Sequence, residues 1–435
     1  MNTKNDRYKN YNMHIINPCE STQEYAILYD VPTNSLYKLS SELGKQIELL
    51  QKNDSNSNVF KNIELYFEKK FDTKETTIPS HSFWGETKVI SKLTINVTSR
   101  CNLKCKYCFA EFGSYGNYSQ CDMHPFEAIE YISKLVVQAN VKEIKMIQFF
   151  GGEPLLAIST IKAICEYFEY LFNNGKISSI PKYTMITNLV NCNSNIFYIV
   201  QKYNISLTVS IDGPKEIHDL QRCFSDGTGT FDYIKRNVTV LHQYVKAIEV
   251  TYTKNHTDNK MSICDVRKYL SNYFKVEIEK IFVVQVINTP SLDIDLEKYH
   301  TYIEDEMLDI DDRQAIVACD PMLQSDLLCT TGYHSICIMP NGDLYPCHIY
   351  AKDKTFCLGN LKEKCDVSEI KHNLYEKLSI NNKKSHECMT CWARKICHIC
   401  PASIMVLSNN RVLTSKSICD SRRKIYEKIL LKSIE

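Results

Sequence analysis

The chain has 435 residues, 44% hydrophobic and 24% charged, and its 52 Lys and Arg meet 51 Asp and Glu for a formal net charge of +1. That length holds about two or three domains with ample core, and the balance supplies no basic footprint for nucleic acid or an anionic membrane. Twenty cysteines, about 4.6% of the chain, fall well short of the ~8–10% of small disulfide-built scaffolds.

The opening residues, MNTKNDRYKNYNMH, lack the apolar stretch of a signal peptide, and no apolar run approaches the ~18 residues of a membrane span. The expectation is a cytoplasmic protein that binds neither nucleic acid nor membrane. In that reducing compartment clustered cysteines bind metal or react rather than cross-link the fold. Eleven of the 20 lie between Cys319 and Cys419, and three more sit together at Cys101, Cys105 and Cys108.

In chain order, residues 1–85 read as a small α+β domain. EYAILYDV, a turn at Pro32-Thr33-Asn34-Ser35 and SLYKL predict a β-hairpin, followed by a helix with Leu43, Ile47 and Leu50 on one face. NDSNSN at 53–58 is a polar break, a short helix follows at about 59–70, and a linker covers about 72–86. From 86 to 315 the pattern changes to strands alternating with helices. The strands are LTINV (93–97), IKMIQFF (144–150), YTMIT (183–187), ISLTVSI (205–211), AIEVTYT (247–253) and KIFVVQVI (280–287), separated by helices such as PFEAIEYISKLVVQ and STIKAICEYFEYLF. Such alternation argues for a parallel α/β sheet, and six units predict a partial TIM-like (β/α)6 barrel rather than a closed eightfold one. Residues 316–435 are Cys-rich, in short segments whose core is too thin to stand without staples.

Cys101, Cys105 and Cys108 follow the first barrel strand directly. Thiolates favour zinc or iron–sulfur, and a four-iron cube takes four ligands, so three protein thiolates leave one iron open. A structural zinc site that borrows His124 is the alternative. The next three strands end in Gly151-Gly152-Glu153-Pro154, Thr187-Asn188 and Ser210-Ile211-Asp212-Gly213, on the rim where barrel enzymes build active sites. Glycine pairs there let backbone approach a ligand, and Glu153 offers a carboxylate to an amino group.

Cys-x3-Cys-x-aromatic-Cys, met by Cys101, Cys105, Tyr107 and Cys108, resembles the signature of the radical S-adenosylmethionine (radical SAM) enzymes. The resemblance implies a [4Fe–4S] cluster that binds SAM and an electron that cleaves SAM to methionine and a 5′-deoxyadenosyl radical, which takes hydrogen from the substrate. It also implies that Gly151, Gly152 and Glu153 hold the methionine amino group, that Ser210 and Asp212 meet the ribose or carboxylate, that Tyr107 meets adenine through its backbone, and that Arg222 pairs with the SAM carboxylate. An ordinary ion pair is the alternative for Arg222.

Further on, Cys329-x12-Gly342-x4-Cys347 encloses an Asn341-Gly342 turn that draws Cys337 toward Cys347. Cys388-x2-Cys391-x5-Cys397-x2-Cys400 and Cys419 follow. The spacing resembles the SPASM auxiliary-cluster region. By that resemblance Cys388, Cys391, Cys397 and Cys419 hold one [4Fe–4S] cluster, and Cys329, Cys347 and Cys400 another, with Cys337 a candidate fourth ligand, for three clusters in all. The two residues between Cys397 and Cys400, where the family has three, depart from the pattern, and zinc is again the alternative. The other nine cysteines (19, 121, 165, 192, 223, 264, 319, 357 and 365) read as buried thiols.

ILYDVPTNSLYKLSSELGKQIELL resembles the winged-helix-like recognition elements of maturases of ribosomally made peptides, which add a leader peptide to a strand edge; a domain that only covers the barrel mouth is the alternative. Together these resemblances imply a peptide maturase with SAM as cofactor, a precursor peptide as partner and a flavodoxin or ferredoxin as reductant. Its expected product is a thioether cross-link between cysteine sulfur and peptide carbon. If Cys337 ligates its cluster, C–C cross-linking or another oxidation replaces that product; epimerisation, a sulfatase-type formylglycine maturase and a non-catalytic iron–sulfur scaffold or redox sensor are the remaining alternatives.

Overall fold

The computed structural model of the chain describes residues 13–16, 25–31, 35–52, 83–116, 118–286, 289–294, 329, 331–363, 365–382, 386–397, 400–402 and 416–432. The turn at 32–34, the break at 53–58, the helix at about 59–70, the linker to 82, the side chain of Leu50, and Cys19 and Cys319 lie outside the described residues.

The N-terminal unit contains the expected hairpin, β2 (Tyr25–Asp30) and β3 (Ser35–Ser40), with a further strand, β1 (Met13–Ile16), antiparallel to β2 on the other side. The helix Ser41–Lys52 follows β3 without a break. Alternation along β2 splits its apolar side chains between two faces. Ala26 and Leu28 join Met13, Ile15, Leu39 and Ile47 against the helix, while Ile27 and Tyr29 join Ile16 and Val31 on the opposite face.

The short segment just beyond departs from the expected linker. Phe83 and Trp84 are fully buried, and the Trp84 N–H donates to the Tyr333 carbonyl at 2.9 Å. Large aromatic area outweighs the flanking polar residues that suggested a linker.

Short strands β4 (Val89–Ile90) and β6 (Glu143–Ile144) pair beside the main sheet. That sheet takes β5 (Lys92–Thr98), β7 (Met146–Gly151), β8 (Lys182–Thr187), β9 (Ser206–Ser210), β10 (Val245–Tyr252) and β11 (Ile281–Gln285), all parallel and in sequential order. All six expected strands are present within a residue or two, apart from the split at Lys145. One face of each strand packs under the helices: Ile147, Phe149, Met185, Leu207, Val209, Ile248 and Val250 are fully buried. Each such side chain contributes roughly 1.5–3 kcal/mol. The inner face keeps Gln148, Thr184, Thr208, Ser210, Glu249, Thr251 and Gln285 partly exposed, which leaves a polar lumen.

Sequence reasoning did not anticipate how the C-terminal region attaches. Its hairpin, β12 (Ser335–Ile338) and β13 (Asp343–Tyr345), followed by β14 (Gly359–Asn360), extends the same sheet, with β12 parallel to β5. The nine strands run in one linear order from β11 to β14, so the sheet is an open, partial barrel. One continuous core runs from Phe83 to Ala402.

Candidate active site

A cavity of about 280 Å³ opens at the carboxyl ends of the barrel strands. It is lined by Cys101, Cys105, Tyr107 and Cys108 of the loop after β5, by Gly151, Gly152 and Glu153 after β7, and by Thr187, Asn188, Ser210 and Arg222. Four loops spread over more than a hundred residues of chain thus meet on one rim, because parallel strands place every carboxyl end on the same side.

The glycine pair has a sharper reason than approach to a ligand. A Cβ on Gly151, whose φ is +139°, would sit 2.2 Å from the Thr98 carbonyl oxygen, and one on Gly152 would sit 2.1 Å from that of Arg100. The Gly152 N–H donates to Thr98 and that of Glu153 to Arg100. The pair is therefore a seat for the cysteine loop.

Glu153 is buried and accepts three hydrogen bonds, which leaves its carboxylate one further acceptor site. Its Oε1 accepts from Thr187 Oγ1 at 2.6 Å and Leu155 N at 3.0 Å, and its Oε2 accepts from Asn188 N at 2.7 Å. Burial nevertheless raises its pKa, outweighing these hydrogen bonds.

Asp212 lies beneath the cavity rather than in its wall. Its Oδ2 accepts from the Tyr107 hydroxyl at 2.5 Å and Gln221 Nε2 at 2.8 Å, and its Oδ1 accepts from Thr251 N at 3.0 Å. The Tyr107 oxygen also accepts from Arg222 Nη1 at 2.7 Å. Arg222 is thus held by a hydroxyl and a nearby carboxylate, and its buried Nε has no hydrogen-bond partner. His218 supports the same network: its Nδ1 accepts from Asp212 N at 3.2 Å and its Nε2 meets Thr230 Oγ1 at 3.0 Å, while burial pushes its pKa down to about 4.

Two cavity residues escaped sequence reasoning. Glu249 on β10 stands beside Ser210 in the strand register and lines the cavity. Burial raises its pKa. His348, next to Cys347, lines the cavity too, with its ring 4.4 Å from that of Phe150 and 5.9 Å from that of Phe109. Burial pushes its pKa down to about 3. Period-2 alternation on β10 was a usable signal for Glu249; nothing local marked His348.

Cys329, Cys347 and Cys400 lie within electrostatic reach of one another around the buried Tyr350. Cys337 is fully buried on β12 opposite Tyr345, and of these thiols feels only Cys347. Cys388, Cys391 and Cys397 form a second group, with Arg423 Nη1 4.0 Å from Cys391 Sγ and Arg422 near Cys397. Both arginines come from the C-terminal helix Lys416–Lys432, which also carries Cys419.

Residues 95–270 match the radical SAM superfamily, and residues 329–392 match SPASM, an iron–sulfur cluster-binding domain. The chain carries a radical SAM domain and a SPASM domain. It is 30% identical over 166 residues to the radical SAM cyclopropyl synthase TigE of Paramaledivibacter caminithermalis, a stretch covering 35% of this chain and 33% of that protein. It is 26% identical over 341 residues to the cysteine-type anaerobic sulfatase-maturating enzyme of Clostridium novyi, covering 70% of this chain and 85% of that one. The fold matches native anSMEcpe with bound AdoMet at a TM-score of 0.63, with 22% identity over 79% of this chain and 98% of that one. It matches Streptococcus suis SuiB bound to S-adenosylmethionine at 0.53, with 17% identity over 91% and 99%; another SuiB structure holds its precursor peptide SuiA.

The two domains accordingly make this chain an enzyme whose cofactors are SAM and [4Fe–4S] clusters, and the donor set fits them. Three thiols face one cavity, with the unpartnered Nε of Arg222 beside them. His124, the ligand a zinc site would borrow, instead caps the helix Pro125–Ser133, accepting from Phe126 N while Glu127 accepts from its own N–H. Among the described residues no three Cys, His, Asp or Glu side chains are grouped as ligands of one metal ion. No described helix is long and apolar enough to cross a membrane.

Proposed function

We propose that this enzyme modifies a ribosomally made precursor peptide, and that its product is a thioether between a cysteine sulfur and a peptide carbon. The observation that carries this reading is the shared cavity: His348 and Ile349, the two residues that follow Cys347 in the SPASM region, line it together with Cys101, Cys105 and Cys108. A substrate carbon held there lies against the residues that directly follow Cys347 in the chain.

Cys101, Cys105 and Cys108 hold the SAM-binding cluster, which when bound supplies the electron that turns SAM into a hydrogen-abstracting radical. Gly151, Gly152 and Glu153 present acceptors to the methionine amino group, Arg222 takes its carboxylate, and Ser210 faces the ribose. Tyr107, in the cavity wall, and Asp212, one layer below, fix Arg222. Cys329, Cys347 and Cys400 hold the first auxiliary cluster and Cys388, Cys391, Cys397 and Cys419 the second, while Cys337 stays a thiol in the sheet. A three-cysteine set leaves a position for a peptide thiolate, which favours the thioether over outer-sphere oxidation. The unit 1–85 captures the leader along β3, one of the two edge strands of its three-stranded sheet among the described residues, and a flavodoxin or ferredoxin supplies electrons.

Formylglycine formation is the second reading, supported by similarity to sulfatase-maturating enzymes over most of their length. The N-terminal sheet weighs against it. The deciding experiment incubates the reconstituted enzyme anaerobically with SAM, reductant and candidate peptides. Loss of two hydrogens per event together with blocked peptide thiols supports the thioether; conversion of a lone cysteine to an aldehyde supports the alternative. Full iron content in Cys337→Ser supports the ligand assignment, and loss of iron refutes it.

A further inference from the structure

The outer face of the N-terminal sheet does not look into solvent. Ile16, Ile27, Tyr29 and Val31 pack against Trp392, Ala393 and Ile396 of the loop between Cys391 and Cys397, and against Tyr426 and Leu430 of the C-terminal helix; Cys391 and Cys397 border the same cluster. His14 on β1 stacks on Trp392 with ring centroids 3.8 Å apart and planes 1° apart, and its Nε2 lies 2.7 Å from Glu427 Oε1. Tyr29 meets the edge of the same indole at 6.2 Å. Tyr426 also hydrogen-bonds with Cys397.

Among its described residues the cysteine loop has little regular structure of its own, only the short helices His386–Met389 and Trp392–Lys395. Its apolar residues find their core in the N-terminal sheet. From this juxtaposition we infer that the N-terminal sheet is the outer wall of the second auxiliary-cluster site, so that the peptide-capturing unit and that cluster stabilise each other. His14 and Trp392 are positioning residues in this arrangement. The inference rests on the reading of Cys388, Cys391 and Cys397 as cluster ligands. By reciprocity, whatever the loaded loop adds to the stability of the sheet, the sheet adds to retention of the cluster. A chain lacking the second auxiliary cluster is then also impaired in holding its peptide, which ties substrate capture to a complete cofactor set.

The test uses the full-length chain reconstituted with iron and sulfide, read by iron content and by amide hydrogen exchange. Cys391→Ser is expected to lose about four irons per chain and to raise exchange across 13–16 and 25–31 by about tenfold or more, while β7 to β10 keep their protection. His14→Ala, which removes no thiol, is expected to lose the same iron faster under air while the SAM-binding cluster persists, seen by its electron paramagnetic resonance on adding SAM. Iron loss in Cys391→Ser without any change at 13–31 overturns the inference and leaves the cluster assignment standing. Unchanged iron in Cys391→Ser overturns the assignment itself and the inference with it. Cluster retention in both His14→Ala and Trp392→Leu equal to that of the parent also overturns the inference.

Discussion

Tyr107→Phe isolates the network beneath the cavity. The substitution keeps the ring and removes one hydroxyl that donates to Asp212 at 2.5 Å and accepts from Arg222 at 2.7 Å. Both lost bonds involve a charged group, and Arg222 Nε already lacks a partner, so the guanidinium would keep even fewer bonds in a site water barely reaches. Stranding buried charged groups in this way costs about 1–3 kcal/mol each, softened here because Asp212 retains Gln221 and Thr251 and still faces the cation. The expected loss is roughly 2–4 kcal/mol, or about 4–16 °C in Tm for a cooperative unit of this size. Thermal unfolding of the cluster-free chain measures it, and a double-mutant cycle with Asp212→Asn extracts the coupling. In the reconstituted enzyme the same change should weaken SAM binding about tenfold or more, since Arg222 loses its orientation. A variant within 0.5 kcal/mol of the parent that also binds SAM equally well would refute the account of Asp212 and Tyr107 as supports.

Gly152→Ala places a methyl group 2.1 Å from the Arg100 carbonyl oxygen, so the cysteine loop must shift; about 1–3 kcal/mol of stability and iron retention at Cys101, Cys105 and Cys108 should fall together, measured by unfolding and iron assay. His218, with its pKa pushed down to about 4, stays neutral in the fold while the unfolded chain protonates near pH 6.5. Stability should therefore decline as pH falls from about 6.5 to about 4, by up to about 3 kcal/mol, and His218→Gln should flatten that part of a stability–pH curve. Glu249→Gln keeps shape but removes a cavity carboxylate whose side chain makes no hydrogen bond or ion pair among the described residues; deoxyadenosine release without peptide should persist while peptide modification drops about 100-fold, and equal losses of both would assign Glu249 to SAM instead.

The six barrel strands were legible because each is a short Val/Ile-rich run bounded by helices, and because parallel pairing requires no more than their order. The rim loops were legible for the same reason: they end strands. Cys101, Cys105 and Cys108 stood out by their spacing and by the resemblance it carries. What escaped depends on contacts far apart in the chain. β1 is only four residues long, Phe83 and Trp84 sit in a polar stretch yet join the main core beside a backbone hydrogen bond to Tyr333, and the pairing of β12 with β5 joins segments about 240 residues apart. Gly151 and Gly152 were noticed for a ligand, but the backbone they admit is that of the neighbouring strand's loop. Cys337 and Cys347 were drawn together correctly by the Asn-Gly turn, yet strand geometry points the former into the sheet core.

The pairing of β12 with β5 also governs how the chain can be cut and how it comes to be folded. Until residues 335–338 have been synthesised, β5 is an open sheet edge, and it is the strand that leads into Cys101, Cys105 and Cys108. Long-range parallel pairing forms slowly, and bare edges invite intermolecular pairing meanwhile. A fragment ending before residue 329 should therefore aggregate although it holds every barrel strand, so a soluble minimal barrel must retain the β12–β13 hairpin.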